Sequence, residues 1–548
     1  MKKNKSIIAI IPARGGSKGI PRKNLRSLNG YPLISYVIKT CIRSNIFSDI
    51  IVSTEDMEVK AIAEIFGAHV LIRKPELADD YTTLDPVIRN ALLTAESKFK
   101  KQYDLIFTIQ PTSPLLSIED IKSVKNLLQK NNLDTVLTVK KDNHLSWSKN
   151  GQKYTPNYKK RLNRQYLKDN FIETGGIIAC TRDQCLRGSR VGKRIDLQII
   201  PKERAIDIDD FDDFRNCEAK LRSKKIVFSA IGSQKVGLGH SYRAALLASE
   251  LTNHDLVFVI PKEEDMAIKL FKEKNYKVVV AKKNTLAKTI IAENPDLVIN
   301  DILDTSEKYM DEIKNFGCKI VNFEDSSVAA SKANLVINAL YESKNKNKSF
   351  LTGHKYFCLR DEFIFLKKNK KLNSEVSNVM LSFGGVDEGN LTLKSLEAVG
   401  KFCNENNIAI NVILGLGYSY LDSIKKFKKY KNIRIIKNTK QISYYMNEAD
   451  IAITSGGRTV FELASLRKPM IVICQNERET KHTFANEKNG IINLGHRVNA
   501  GQKKIQEQFI NLVKDNALRE KLVLKMSKIE LNKGKKVVIR KILNLLEE

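Results

Sequence analysis

Four cationic residues surround a glycine-rich turn close to the start of the chain. The stretch IAIIPARGGSKGIPRKNL, residues 8–25, places Arg14, Lys18, Arg22 and Lys23 among three glycines. Glycine lets backbone N–H groups approach a ligand closely, and the cations would neutralise a ligand that carries several negative charges. The spacing matches neither the Walker phosphate loop nor the G-x-G-x-x-G fingerprint. The residue types therefore indicate a polyphosphate site of another kind, and the alternative is a solvated basic turn.

The elements that must position this loop are a strand before it and an alternation of strands and helices after it. The run Ile7–Ala13 is β-branched and too short for a core helix, which favours a buried strand. Further strands are predicted in the first part of the chain at Asp49–Thr54, His69–Ile72, Asp104–Gln110 and Thr135–Val139. Amphipathic helical patterns separate them, which is typical of a parallel α/β fold.

The chain has 548 residues, more than one hydrophobic core usually supports, so we expect two or three domains. The strand-and-loop pattern restarts with KIVFSAIG, which predicts a boundary near Leu221–Lys225. We expect one α/β domain over residues 1–222 and two doubly wound α/β subdomains over 223–345 and 346–548. Their later strands are predicted at Asp255–Ile260, Lys277–Val280, Asp296–Asn300, Lys319–Asn322, VMLSFGG, IAINVILGLG, IRIIKN, IAITSGG and MIVICQ.

The composition excludes several classes of protein. A net charge of +31 raises nucleic-acid binding as a hypothesis, but the excess is mostly lysine on expected helix surfaces, without a recognisable nucleic-acid motif. We therefore predict a solvated surface whose field favours anionic substrates, and no nucleic-acid partner. No apolar stretch approaches the roughly 20 residues of a membrane span. Eight cysteines without CxxC pairs indicate neither a zinc site nor a disulfide framework, so we expect a cytoplasmic protein.

Six elements of the first part resemble, in the same order, those of the CMP-sialic acid synthetases. They are IIPARGGSKGIPRKNL, IVSTED, RKPELADD, IQPTSPLL, RQYLKDNFIETGGIIA and IDIDDFDDF. The resemblance implies a Rossmann-like nucleotidyltransferase domain that transfers CMP from CTP to a nonulosonic acid, a nine-carbon α-keto acid sugar, and releases pyrophosphate. It also implies a homodimer formed through this domain.

The resemblance assigns roles to residues of the glycine-rich loop and of the strand ends. Arg14, Lys18 and Lys23 would neutralise the phosphates during the reaction, and Asn24 would help to hold the nucleotide. Gln110 would hydrogen-bond the cytosine. Charge neutralisation and in-line positioning are what transfer from a triphosphate requires. The alternative for Gln110 is a turn residue before proline.

The sugar and the metal are expected to bind near the end of this domain. By the resemblance, Arg164 would hold the carboxylate of the sugar, and the alternative is a surface charge. Asp207 and Asp209 are two residues apart on an expected strand, so they would point to one face and offer oxygen ligands to Mg²⁺. Where many family members read N-G-A, this chain has Thr174-Gly175-Gly176. This departure leaves open which nonulosonic acid is used.

A second candidate site follows the strand KIVFSAIG. The stretch GLGHSYRAALLASEL, residues 237–251, opens a helix and aims its N-terminus and His240 at a cleft, although a lone histidine is more often structural. The region from Lys225 to Leu494 resembles the UDP-sugar hydrolase of pseudaminic acid synthesis, which has the two lobes of GT-B glycosyltransferases. Motifs that carry the resemblance are GLGHSYR, LTGHKYFCLRDEF, LSFGGVDEGNLTLK and ADIAITSGGRTVFELASLRKP.

The second resemblance implies a UDP-sugar site between the lobes. Hydrolysis would use His240 as a base, and the substrate would contact Gly237, Gly239, Gly456, Gly457, Thr459 and Glu462. The glycine turn would bind the diphosphate, and a carboxylate suits ribose hydroxyls. We therefore expect a bifunctional enzyme of nonulosonic acid synthesis. Two alternatives for the second half stay open: a glycosyltransferase, and a nucleotide-sugar-binding or scaffolding module without turnover.

Overall fold

The computed structural model describes residues 5–17, 19–79, 81–342, 347–366 and 372–547. The chain divides into two compact units, Met1–Ser223 and Lys224–Glu548. In the described part of the chain, no helix has the length and apolar character that crossing a membrane requires.

The first unit contains one large mixed sheet with helices on its faces. Its strands are β1 (Ile7–Pro12), β2 (Ser27–Leu28), β3 (Tyr31–Pro32), β4 (Asp49–Thr54), β5 (His69–Ile72), β6 (Leu105–Ile109), β7 (Thr135–Lys141), β8 (Trp147–Asn150), β9 (Lys153–Pro156), β10 (Phe171–Thr181) and β11 (Ile195–Ile199). Its helices are α1 (Leu33–Ser44), α2 (Met57–Ile65), α3 (Leu84–Phe99), α4 (Ile118–Lys130), α5 (Arg182–Leu186) and α6 (Phe211–Leu221).

The strand order of this sheet is β11-β7-β10-β6-β1-β4-β5. Strand β10 runs antiparallel to both β6 and β7, whereas the other pairings are parallel. The sequence pattern is typical of a parallel α/β fold, and β10, which is not among the strands predicted, departs from that pattern because strand direction is not encoded in local periodicity. The segment that holds Asp207 and Asp209 forms no strand; it is an irregular stretch that ends where α6 begins.

The second unit begins with a seven-stranded parallel sheet. Its strands, in the order β14-β13-β12-β15-β16-β17-β18, are β12 (Lys225–Ala230), β13 (Asp255–Pro261), β14 (Lys277–Ala281), β15 (Leu297–Asp301), β16 (Lys319–Phe323), β17 (Leu335–Asn338) and β18 (Phe350–Thr352). The helices in this part are α7 (Gly239–Ala248), α8 (Asp265–Glu273), α9 (Leu286–Ala292), α10 (Glu307–Phe316) and α11 (Asp361–Phe365).

A six-stranded parallel sheet follows in the order β21-β20-β19-β22-β23-β24. Its strands are β19 (Asn378–Ser382), β20 (Ala409–Leu414), β21 (Ile433–Lys437), β22 (Ile451–Thr454), β23 (Met470–Cys474) and β24 (Ile492–His496). The helices in this part of the chain are α12 (Leu391–Glu405), α13 (Leu421–Ile424), α14 (Ile442–Glu448), α15 (Thr459–Ser465), α16 (Glu477–Thr480), α17 (Gln502–Lys514), α18 (Asn516–Ser527) and α19 (Gly534–Glu547).

The two sheets of the second unit form two lobes whose composition differs from the predicted ranges at two places. Strand β18 lies beyond residue 345 but pairs with β17 in the first lobe. The last helix, α19, places Val538 and Ile542 in the hydrophobic core of the first lobe. The chain therefore returns to the first lobe after completing the second, because the apolar face of α19 is buried there.

Both lobes have a topological switch point, where the chain order reverses across the sheet. In the first lobe it lies between β12 and β15, and in the second between β19 and β22. The loops at the carboxyl ends of such strands leave a crevice in which ligands of parallel α/β proteins bind. This geometry positions the candidate site of the second unit.

Candidate active sites

The first unit has a cavity of about 420 Å³ at the carboxyl ends of β1, β5 and β6. The cavity wall includes residues that the sequence predicts for the site, namely Arg14, Lys23, Asn24, Gln110 and Asp209. The fold therefore brings the glycine-rich loop, the end of β6 and the acidic segment before α6 into one place. Lys18 lies outside the described residues.

Acidic side chains hold the glycine-rich loop in place. The amide of Gly15 donates to the Glu55 carboxylate at 2.6 Å, just after β4. Arg22 has a left-handed backbone (φ 56°) and forms ion pairs with Asp56 and Glu58. Asp56 also accepts the first amides of α2. Arg22 is therefore engaged in fixing the loop, while other cations face the cavity.

Lys23 and Asn24 tie the loop to the rest of the site. The Lys23 ammonium donates to the carbonyl oxygen of Ile208 at 2.7 Å and lies 3.4 Å from the Asp209 carboxylate. The Asn24 side-chain amide donates to the carbonyl oxygen of Arg14 at 2.9 Å, and Asn24 is buried. Asn24 thus supports the loop from within, in addition to lining the cavity.

Asp207 and Asp209, which flank Ile208 in the sequence, differ in environment. Oδ1 of Asp207 is buried without a hydrogen-bond partner among the described residues, and the Asp209 side chain is 78% exposed. Burial raises the pKa of Asp207, the Thr112 hydroxyl opposes this effect, and the charge of Asp209 adds to it. A Cβ on Gly175 (φ 68°) would lie 2.6 Å from Oδ2 of Asp207, so this glycine makes room for the carboxylate.

The two aspartates fit a divalent cation that is completed by substrate. Mg²⁺ is usually bound by one or two carboxylates together with phosphate oxygens and waters, and a buried carboxylate oxygen without a partner is a suitable donor. In the described ranges, no three His, Cys, Asp or Glu side chains converge into a larger metal cluster.

Two further arginines of the first unit differ in their environment. Arg164 begins an exposed 3-10 turn and is absent from the described residues that line the cavity. Arg73, from the RKPELADD stretch, lines the cavity and is buried, and it donates to the Ser53 carbonyl oxygen at 2.7 Å. Burial lowers the pKa of Arg73; nearby Glu55 opposes that effect and Arg14 adds to it. A cavity with two neighbouring guanidinium groups favours an anionic ligand.

The second unit has a larger cleft, of about 830 Å³, between its two lobes. Loops at the carboxyl ends of β12, β16, β19, β20, β22 and β23 contribute to its wall. Predicted site residues that line it are Gly237, Gly239, His240, Gly457, Thr459 and Glu462. The turn at Gly237 in the first lobe is in close contact with the loop after β19 in the second lobe, because a Cβ on Gly385 would lie 3.1 Å from the Cα of Gly237.

His240 is held by a buried carboxylate at the switch point of the first lobe. Its Nδ1 lies 2.6 Å from Oδ1 of Asp301, the last residue of β15. Arg243, one turn later on α7, donates to both oxygens of Asp301 (2.6 and 2.7 Å) and to Glu324 at 2.8 Å. Burial alone would raise the pKa of Asp301, but Arg243 and His240 outweigh it and hold the pKa below its ordinary value.

This arrangement leaves Nε2 of His240 for chemistry in the cleft. In the neutral ring, a carboxylate at Nδ1 favours the tautomer with the proton on Nδ1, in which Nε2 carries the lone pair. The sequence predicts His240 but not Asp301, Arg243 or Glu324. Arg243 stands in the same GLGHSYR motif, three residues after His240, which is the spacing that puts two side chains on one face of a helix.

In the second lobe, the glycine turn at Gly456 and Gly457 is partly covered by the side chain of Glu479. The amide of Gly456 donates to Oε2 of Glu479 at 3.0 Å, and the same oxygen accepts the amide of Gln475 at 2.8 Å. Glu462, the predicted ribose ligand, accepts a hydrogen bond from Arg360 at 2.9 Å. The turn thus has the predicted position, but a carboxylate covers one of its amides.

Comparison with known proteins places the first unit in a family. Residues 8–175 match the family described as Cytidylyltransferase. Post-translational flagellin modification protein B of Campylobacter coli is 31% identical over 235 residues, which are 40% of this chain and 97% of that protein. The chain belongs to the cytidylyltransferase family through its first unit.

Two other relatives of the cytidylyltransferase unit have more specific names. N-acylneuraminate cytidylyltransferase A of Danio rerio is 32% identical over 215 residues, 38% of this chain and 49% of that protein. Pseudaminic acid cytidylyltransferase of Campylobacter jejuni subsp. jejuni serotype O:2 is 40% identical over 116 residues, 21% of this chain and 50% of that protein. The chain spans about half the length of several curated relatives that it matches.

The second unit matches a different family. Residues 383–542 match the C-terminal domain of glycosyltransferase family 28. The predicted fold class is confirmed: a Rossmann-like nucleotidyltransferase domain precedes a two-lobed, GT-B-like pair of parallel α/β sheets.

The ion pair between Asp301 and Arg243 leads us to expect an effect on stability. Asp301→Asn should destabilise the second unit by about 3 kcal/mol, because it removes the buried carboxylate that accepts two hydrogen bonds from Arg243 and contacts His240. Asp304→Asn is the matched control: its carboxylate is half exposed and pairs with Arg478, so we expect a loss below about 1 kcal/mol. Chemical unfolding of both variants measures the difference.

The pH dependence of unfolding tests whether the ionised carboxylate of Asp301 causes this stabilisation. The folded pKa of Asp301 lies below its unfolded value of about 3.9. The ionised carboxylate therefore adds to the free energy of unfolding above about pH 3.9, and this stabilisation is lost as the pH falls from there through the folded pKa. Equal stability of Asp301→Asn and wild type above pH 5 would contradict the assignment.

Proposed function

We propose that the cytidylyltransferase unit transfers CMP from CTP to the anomeric hydroxyl of a nonulosonic acid and releases pyrophosphate. The observation that carries this proposal is the cavity in which Arg14, Lys23 and Arg73 lie with Asp209. Three cations suit a triphosphate, and a nearby carboxylate pair suits the metal that accompanies it. The names of the Danio rerio and Campylobacter jejuni relatives support an N-acylneuraminate or pseudaminic acid as the sugar.

Each site residue has a separate role in the transfer of CMP. The oxygen of the sugar hydroxyl bonds to the α-phosphorus of CTP and its proton passes to solvent, while the bond from that phosphorus to the bridging oxygen breaks and its electron pair leaves with pyrophosphate. Arg14, Lys18 and Lys23 neutralise the phosphates, and Gln110 hydrogen-bonds the cytosine. Asp207 and Asp209 would hold Mg²⁺, which neutralises charge on the departing pyrophosphate when bound. Arg164 holds the sugar carboxylate, from an exposed segment outside the cavity wall.

The aspartate pair provides the test of this activity. Asp207→Ala and Asp209→Ala should each lower the rate of pyrophosphate release from CTP, Mg²⁺ and a nonulosonic acid by about 10² or more, because each removes a metal ligand. Asp212→Asn is the matched control, since its carboxylate is 78% exposed in the first turn of α6, directly after that segment. Wild-type rates in both alanine variants would overturn the metal assignment, and no product with any nonulosonic acid would overturn the activity.

For the second unit we propose hydrolysis of a UDP-linked diacetamido-trideoxy sugar at its anomeric carbon. The contact between His240 and Asp301 carries this proposal, because it supplies a histidine base whose Nε2 is available in the cleft. Glycosyl transfer to a sugar acceptor is the second candidate, and the match to glycosyltransferase family 28 favours it. A binding module without turnover is the third.

Isotope labelling distinguishes these candidates. In ¹⁸O-water, hydrolysis at carbon should place the label in the anomeric hydroxyl of the sugar and none in UDP. His240→Asn should retain UDP binding and lose roughly 10²–10⁴-fold in turnover, as for a general base. His254→Asn is the control, since that ring bonds Lys224 at the amino end of the first-lobe sheet.

Other labelling results contradict the hydrolase. Label in UDP would exclude attack at the anomeric carbon. Turnover that needs an added acceptor would support the glycosyltransferase, and UDP-sugar binding without any turnover would support the binding module.

We also propose that the chain forms a homodimer through the cytidylyltransferase unit. Edge strand β11 exposes Ile195, Leu197 and Ile199, which alternate along the strand and so share one face. Hairpin β8–β9 is exposed at every residue and carries Trp147 and Tyr154. Exposed apolar residues of this kind mark an interaction surface.

Sedimentation velocity tests the dimer. Wild type should sediment as two chains, and Leu197→Glu should shift it to one chain because a charge would be buried in the interface. A wild type that sediments as one chain would contradict the proposal.

A further inference from the structure

The two aspartates that would hold the cation lie in a segment without regular secondary structure. Residues 200–209, all of which the structure describes, belong to neither a helix nor a strand. The hydrogen bonds of a sheet therefore do not fix Asp207 and Asp209. Metal ligands work only when they are held within about 0.5 Å of the productive geometry. Contacts with other parts of the first unit must supply that precision.

Ile208 anchors the middle of this segment. Its side chain is buried in a small hydrophobic cluster that includes Ile20 and Leu28. Its amide donates to the carbonyl oxygen of Thr112 at 2.8 Å, and its own carbonyl oxygen accepts the Lys23 ammonium at 2.7 Å. One anchored residue still lets the chain turn about that point, so a second contact is needed to set the direction of the neighbouring carboxylates.

Arg204 is a second anchor, on the amino side of the segment. Its guanidinium pairs with both oxygens of Asp120: Nη1 contacts Oδ2, and Nη2 donates to Oδ1 at 3.1 Å. The Asp120 side chain is 5% exposed and also accepts the amide and the hydroxyl of Ser117, each at 2.9 Å, in the first turn of α4. A two-pronged pair of this kind fixes orientation as well as distance. Arg204 thus ties the segment to α4.

Both anchors join the acidic segment to one short stretch of chain, residues 110–120. Gln110 and Thr112, at the start of this stretch, line the cavity, and Asp120 lies at its end. Arg204 is absent from the described residues that line the cavity. Its effect on the site therefore passes through the segment and not through contact with substrate.

We propose that Arg204 is a positioning residue for the divalent cation. The inference rests on the proposed transfer of CMP. The pair with Asp120 holds the amino side of the segment, so that Asp207 and Asp209 stay in the arrangement that accepts the cation together with the phosphates of CTP. Contacts that orient metal ligands without touching the metal contribute about 10- to 100-fold to metal affinity.

The dependence of CTP binding on Mg²⁺ tests this role without any turnover. Calorimetric titration of the full chain with CTP, with and without Mg²⁺, gives the factor by which the metal tightens binding. Arg204→Gln should lower this factor about 10-fold and leave metal-free binding of CTP as in wild type, because the glycine-rich loop is untouched. Arg204→Lys should lose less, since an ammonium keeps the charge opposite Asp120 but not the planar fork.

Arg215→Gln is the matched control. Arg215 pairs with Asp212 on α6, directly after the segment, and the two side chains are 67% and 78% exposed. Removing the same charge from this exposed pair should leave the Mg²⁺ factor at its wild-type value. Thermal unfolding of each variant shows whether the first unit is folded at the temperature of the titration.

The outcomes separate the inference from the proposed function. A wild-type factor in Arg204→Gln overturns the role of Arg204. Equal weakening with and without Mg²⁺ also overturns it, because the guanidinium would then act on the nucleotide by its charge. If Arg204→Gln is unfolded, Arg204→Lys decides, and a wild-type factor in that variant overturns the proposal. A wild type whose CTP affinity ignores Mg²⁺ overturns the metal assignment as well, and a wild type that does not bind CTP overturns the proposed activity.

Discussion

The buried carboxylate of Asp301 is the contact around which the cleft of the second unit is organised. It lies at the carboxyl end of β15, is 1% exposed, and accepts hydrogen bonds from two side chains one turn apart on α7. A carboxylate at such a site is unfavourable unless it is paired. Arg243 supplies that pairing, which leaves His240 oriented by an ionised partner. Because β12 and β15 are neighbours at the switch point, the sheet order itself brings these groups together.

The same guanidinium links Asp301 to the opposite lobe. Arg243 also bonds Glu324, which follows β16 in a left-handed conformation (φ 52°). The backbone oxygen of Glu324 accepts a hydrogen bond from Arg478 of the second lobe at 2.6 Å. The next residue, Asp325, is buried and accepts hydrogen bonds from the side chains of Asn322 and Thr305, which hold this loop in place. The position of the base and the separation of the lobes therefore depend on one connected polar network.

The sequence predicts those features that depend on local pattern. The β-branched runs predict β1, β4 and β5 to within one residue, and Arg14 and Lys23 of the glycine-rich loop line a cavity. Features that depend on distant residues were missed. The antiparallel direction of β10 and the packing of α19 on the first lobe leave no signal in local periodicity. Asp301 was missed because it stands alone at the end of a predicted strand, without a motif.

The two candidate sites show why net charge is a poor guide to where an anion binds. The chain has an excess of 31 positive charges, yet several cations near the sites are engaged by carboxylates, Arg22 by Asp56 and Arg360 by Glu462 among them. An ion-paired guanidinium has little charge left for a ligand. What matters is which cation the fold leaves desolvated and without a carboxylate, because that group gains most from an incoming phosphate.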